Sequence, residues 1–234
     1  MFSGKCVFPV VFVVVSLAVF ISSCGSGGST QLRVLNAIPD ETAGVNVLLG
    51  SKTLSSSLSY GNNTGYDSVG SGSQTLVIEP TSSTTALINE SVSLGSGTET
   101  TVIAANYSAS PQAIVLLDDN TTPSSGDASL RIVNAAPGMA AAQPNIYIVT
   151  TGTGITGTTP LITSLAFGTA SSYQTLVAGT YDVYFTYPGA DNTVSTYPGA
   201  GPVTITLTSG QNRTMVSLNT LSGSFSTVTL ADLN

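Results

Sequence analysis

Few side chains in this sequence can do chemistry. Of 234 residues, twelve are carboxylates, five are Lys or Arg, and none is His. Without imidazole there is no Ser-His-Asp or Cys-His nucleophile and no ordinary catalytic zinc site. The densest oxygen cluster is Asp118-Asp119-Asn120, with Asp127 nearby. Carboxylates and amides are what Ca²⁺ takes, although this spacing is not that of an EF-hand loop. Asp118, Asp119 and Asp127 are therefore weak metal candidates, and the plain reading of the segment is a solvated linker holding no metal. Two carboxylates can also run glycoside hydrolysis. Adjacent strand residues point to opposite faces, however, so Asp118 and Asp119 are poorly placed as an acid/base pair. Ser-Lys chemistry would have to use Lys52, which follows Gly50-Ser51 in a turn where a lysine is ordinarily solvated. No catalytic residue is assigned, and no cofactor is expected.

Arg33 and Arg131 carry more information. They hold the same place in a repeated stretch, Leu32-Arg33-Val34-Leu35-Asn36-Ala37-Ile38-Pro39 and Leu130-Arg131-Ile132-Val133-Asn134-Ala135-Ala136-Pro137. A guanidinium there could clamp an anion through paired hydrogen bonds. The favoured reading is structural: an Arg on the solvent face of the first strand, its stem packed on the sheet and its head paired with a carboxylate. Asn36 and Asn134 read as residues that fix a turn through bonds to the backbone. Six of nine Tyr, namely 147, 173, 181, 184, 187 and 197, fall in the second half, and there is no Trp. The stretch 187–200 repeats Tyr-Pro-Gly-Ala within itself. Rings on a long loop suit contact with glycans or proteins, so Tyr187 and Tyr197 are the binding candidates. The plain alternative is a loop ordered by its own Tyr-Pro packing.

The elements that position these groups read as short strands. Only 7% of residues are charged, and Ser, Thr, Gly and Asn fill the polar positions. Leu32–Asn36, Val45–Leu49, Leu54–Tyr60, Gln74–Glu79, Ala86–Leu94, Thr100–Asn106 and Ala113–Leu117 are the strands of the first half, separated by Gly- and Asn-rich turns. That spacing predicts an all-β fold of two tandem antiparallel, Ig-like β-sandwich modules. The first is expected at 31–119, a polar linker at 120–128, and the second at 129–234, each folding alone. The second retraces the first: Leu165-Ala166-Phe167-Gly168 parallels Leu58-Ser59-Tyr60-Gly61, Tyr173 parallels Tyr66, and Asp232 parallels Asp119.

Residues 1–23 read as a signal peptide, with Lys5 before the apolar run Val7–Phe20. Ile21-Ser22-Ser23-Cys24 resembles the lipobox of bacterial lipoproteins. That resemblance implies cleavage before Cys24 and lipid on Cys24, with 24–30 as a flexible tether and outer-membrane placement where the cell has one. The membrane is then a partner through the lipid. The segment after the leader carries Arg33, Lys52, Arg131 and Arg213 against twelve carboxylates. With so few cations, no nucleic acid is expected as a partner.

The repeated motif, the Val-x-Val strand after it, and the Tyr-Gly or Phe-Gly followed by Tyr together resemble the DUF4397 family, a domain of unknown function common in exported and lipid-anchored bacterial proteins. Residues 31–234 count as two copies by this likeness. Asn36 and Asn134 stand where the family often has His, and Asn46 and Asn145 where it often has Asp. Gly138 replaces the acidic residue that Asp40 keeps. The resemblance implies a β-sandwich and an exported location, and it brings no chemistry. The expected role is binding or scaffolding in the envelope, with a glycan or protein ligand and no enzymatic activity. The alternative is a carboxylate-dependent hydrolase acting on glycans.

Overall fold

The computed structural model describes residues 28–187, 201–220 and 222–233. The leader, Cys24 and Tyr197 lie outside the described residues. The fold is an all-β sandwich, as the strand spacing predicts. In chain order the strands are β1 (Gln31–Ala37), β2 (Val45–Leu49), β3 (Lys52–Leu58), β4 (Asp67–Ser68), β5 (Gly72–Pro80), β6 (Ile88–Leu94), β7 (Glu99–Ala105), β8 (Gln112–Leu117), β9 (Asp127–Asn134), β10 (Asn145–Thr150), β11 (Gln174–Val177), β12 (Gly179–Thr186), β13 (Val203–Leu207), β14 (Asn212–Asn219) and β15 (Phe225–Leu233). No helix among the described residues is long and apolar enough to cross a membrane.

Four sheets result, with orders β3-β2-β5-β6, β4-β1-β7-β8, β11-β9-β14-β15 and β10-β12-β13. Pairing is antiparallel except for β1 with β7 and β9 with β14, which run parallel. A parallel pair needs a crossover, and in each half the chain builds its other sheet before returning.

Side-chain alternation along the strands sets how the sheets stack. On β1, Leu32 and Val34 pack with Val45, Val47, Leu76 and Ile78 of the sheet β3-β2-β5-β6. Leu35 and Ala37 face the other way and pack with Val133, Ala135, Val216 and Leu218 of the second half. On β9, Ala128, Leu130 and Ile132 join Val183, Phe185 and Ile205 in a third core. The molecule is therefore four layers deep. Two inner sheets, β4-β1-β7-β8 and β11-β9-β14-β15, are covered on both faces by two outer ones and by each other. The cost of ordering so many strands is offset mainly by this apolar burial.

The solvent-face expectation for Arg33 and Arg131 is corrected here. That face of strand one meets the second half, and the two residues are only 3% and 4% exposed.

Candidate functional site: a charged clamp between the halves

Two arginines buried between sheets must be neutralised, because an unpaired charge out of water costs several kcal/mol. Each takes its carboxylate from the opposite half. Arg33 Nη2 donates to Asp232 Oδ1 at 2.5 Å, and Arg131 Nη2 donates to Asp118 Oδ1 at 2.5 Å. The next carboxylates stand at 3.7 Å from Arg33 (Asp118) and 4.0 Å from Arg131 (Asp232), so the four charges form one net-neutral group. The remaining guanidinium donors are used as well. Arg33 Nη1 donates to Ala231 O at 2.8 Å and Arg131 Nη1 to Leu117 O at 2.9 Å. The Nε atoms donate to Thr101 Oγ1 at 3.1 Å and to Thr214 Oγ1 at 2.9 Å, the residues beside each Arg in the parallel ladder.

A tyrosine lies over each guanidinium. Arg33 Cζ is 4.3 Å from the Tyr66 ring centre and Arg131 Cζ is 4.6 Å from that of Tyr173. Tyr66 Oη donates to Asp118 Oδ2 at 2.7 Å and Tyr173 Oη to Asp232 Oδ2 at 2.8 Å. Burial, followed by the adjacent carboxylate charge, pushes both phenols well above their ordinary range, so they stay protonated donors. Thr101 and Thr214 each give the same oxygens a further bond, at 2.5 Å. The carboxylates are thus saturated by donors and face no open space.

The correspondence between halves breaks at one rim position. Glu99 begins β7 where Asn212 begins β14. Glu99 accepts from Gln31 Nε2 at 3.1 Å, and burial, then the Asp118 charge, raises its carboxyl pKa. Asn212 Nδ2 instead donates to Asp119 O at 2.7 Å and Thr121 O at 3.0 Å, tying the linker to the second half.

The other sequence candidates are dispersed. Asp118 is not part of a solvated linker, since it is 6% exposed and committed to the clamp. Asp119 is exposed and accepts from Thr121 N, and Asp127 starts β9. Among the described residues no three His, Cys, Asp or Glu are grouped to hold a metal ion. The ladders align Leu116 with Thr101 and Leu230 with Thr214, so the counterpart of Asp232 is Asp118, one residue before the Asp119 that sequence spacing picks. Lys52 is exposed, near Asp67 at 3.5 Å. Asn36 and Asn134 do fix turns: their Oδ1 atoms accept from Ile38 N at 3.0 Å and Ala136 N at 3.3 Å. Asn46 and Asn145 accept from the N–H of Ser57 and Ser164, both in the left-handed region.

The tyrosine-rich second half is mostly explained by packing. Tyr147 is buried, Tyr173 is in the clamp and Tyr181 packs on the core. Tyr187 is 37% exposed, at the end of β12.

Gly138 also has a structural reason. Asp40 accepts from Ser108 N and Oγ in the first half. In the second half Gly138 N donates to Asn219 Oδ1 at 2.6 Å, reversing the polarity. A Cβ at 138 would lie 2.9 Å from that oxygen.

The sequence model of a family described as "Domain of unknown function (DUF4397)" matches residues 30–149, running past the expected linker through β9 and into β10. No curated protein matches the sequence. Among solved structures the chain is similar to one described as "The Bacillus anthracis TIE protein", at 10% identity and a TM-score of 0.25, covering 82% of this chain. The chain spans about a third of that structure's length, 34%.

Proposed function

The chain belongs to the DUF4397 family, and from that premise we propose a lipid-anchored cell-envelope protein that binds or scaffolds and does not catalyse. Residues 129–234 are read as a second copy of the family domain. Cys24 is read as the lipid-bearing residue, which gives the protein its membrane.

One observation carries this reading. Among the described residues the buried Arg33, Asp118, Arg131 and Asp232 are paired with one another, at the end of the molecule where β1 begins, and buried Asp182 is held by Gly152, Thr151 and Thr204. Gln31 pairs with Glu99 and Ser68 there, beside the clamp. The turns after β1, β7, β9 and β14 lie at the opposite end, where the Tyr60 hydroxyl donates to Asn219 O. Thr186 pairs with Asn145, so Tyr187 leaves the sheet at that far end too. A tether at one end and loops at the other suit a protein that presents loops away from a surface. The ligand is taken to be a glycan or a protein.

The test uses the soluble chain from residue 28 onward, on glycan arrays and in pull-downs from envelope fractions. Replacing Tyr187 and Tyr197 with Ala should weaken capture at least tenfold and leave Tm nearly unchanged, as loss of one or two aromatic anchors does. Unchanged capture together with a fallen Tm makes the loop structural and sinks the assignment of these tyrosines. Mass spectrometry of the mature N-terminus tests the anchor: an unmodified Cys24 within an uncleaved chain overturns it.

A further inference from the structure

The contacts between the halves come in matched sets. Each half gives one Arg (33 or 131), one Thr (101 or 214), one Tyr (66 or 173) and one Asp (118 or 232), and each Arg takes the Asp of the other half. Each Arg also bonds the carbonyl just before that Asp, at Ala231 and at Leu117. The apolar rows match as well: Leu35 with Val133, Ala37 with Ala135, Ile103 with Val216, all in one buried cluster. A surface on which residue i meets j while j meets i is isologous, the arrangement of a two-fold dimer. Here it lies within one chain.

We propose that this face is self-complementary and accepts a second copy of this chain, so that two molecules can join by exchanging halves. Each half presents one positive and one negative group in the same geometry. A half set against its own kind therefore pairs Arg33 with Asp118 of the other copy as well as the native chain pairs Arg33 with Asp232. Apart from Ala105 against Leu218, the matched apolar rows have side chains of similar size and fit in either combination. Two differences favour the mixed pair. Tyr60 reaches Asn219 O, whereas its counterpart Phe167 has no hydroxyl, and Ala105 stands where the other half has Leu218. The connection between halves is a single segment at 119–126, almost wholly exposed, whose short span holds the partner half at high effective concentration. Closure within one chain wins on that account, and a second copy enters when the segment cannot reach.

Two full-chain variants test this. Deleting residues 120–126 leaves two residues to turn the chain between sheets about 10 Å apart, with every clamp residue native. A discrete dimer of twice the mass by light scattering, with the native β circular dichroism, is expected. The second variant combines Arg33→Asp with Asp118→Arg. Like charges then face each other within the chain, while each half still matches its own kind in another copy. It should self-associate, and adding Arg131→Asp with Asp232→Arg should return it to a monomer. A folded monomer from the deletion overturns the proposal, and so does a charge pair that associates no more than the four-fold variant. If the charge variants do not fold, the deletion decides alone: a discrete dimer upholds joining by exchange of halves, and a monomer or a disordered aggregate refutes it.

Discussion

Outer strand β6 alternates except at Glu90, an exposed residue on the core-facing side. Ile88, Val92 and Leu94 are buried, while Asn89, Glu90, Ser91 and Ser93 are exposed. Inner strand β1 hides every residue from Leu32 to Ala37, Arg33 included. The same backbone geometry thus serves two regimes. A polar group on the wet face of an outer strand is satisfied by water, and its neighbours are free to vary. A polar group on an inner strand must find its partners in the protein, and each partner is then as constrained as the group itself. The closest carboxylate to each of Arg33 and Arg131 comes from the opposite half, so the inner sheets bind the halves into one body.

Stability measurements sharpen this contrast. Asp232→Ala strands Arg33 between two sheets and should cost about 3–5 kcal/mol in urea unfolding. Asn89→Ala on the outer face should change the same measurement by no more than about 0.5 kcal/mol. Equal effects would erase the distinction between inner and outer sheets.

The joint core makes a second prediction. A protease should nick the exposed 119–126 segment first, and the two fragments should still co-elute. Calorimetry of the uncut chain should give one transition, with calorimetric and van't Hoff enthalpies in agreement. Two separable transitions would support the expectation from the sequence that each module folds alone.

Gly138→Ala places a Cβ against the amide of Asn219, already fixed by its bond to Gly138 N. A cost of about 1–3 kcal/mol is expected from this overpacking, read as a fall in Tm. An unchanged Tm would mean that the Asn219 side chain yields.

The smallest effects are in pH. Burial, then the neighbouring Tyr107, raises the Tyr60 phenol from 10.0 to about 12. The folded state holds this proton more tightly than the unfolded one. Its contribution is complete below the ordinary value and is lost as pH rises from there through the folded value. Tyr60→Phe, which copies Phe167, should flatten that alkaline limb. Asp182, on outer strand β12, behaves in the opposite sense. Bonds from Gly152 N, then Thr204, hold its carboxyl below the usual range. Its contribution is present above the ordinary Asp value and fades as pH falls through the lower folded one, so Asp182→Asn should flatten the acid limb. Urea midpoints measured across pH check both.

Much of the strand plan is legible in the sequence, because turns at Gly50, Gly97 and Gly210 punctuate apolar runs. Val45–Leu49 is read with both ends correct. The stacking of the inner sheets is harder to see. Leu32-Arg33-Val34-Leu35 is a continuous run and not an alternation, and such runs belong to strands covered on both faces. A lone Arg in that run looks like a solvent residue when its partner is 199 positions away. Tyr66, Tyr173 and Asp118 each stand out in the sequence for separate reasons. Nothing local says that they meet, because the crossing of Arg33 to Asp232 and Arg131 to Asp118 exists only after both halves are built.

That separation has a consequence for the order of events in time. Arg33 is made 199 residues before Asp232. Until β15 arrives, Arg33 lacks its 2.5 Å partner, and the apolar face of the first half is open to water. A chain emerging from a ribosome is expected to stay protease-sensitive until that strand docks, which proteolysis of arrested chains would check. Docking is then all-or-none: the two halves lock only when β15 is delivered, and a product truncated before Asp232 should remain open to protease.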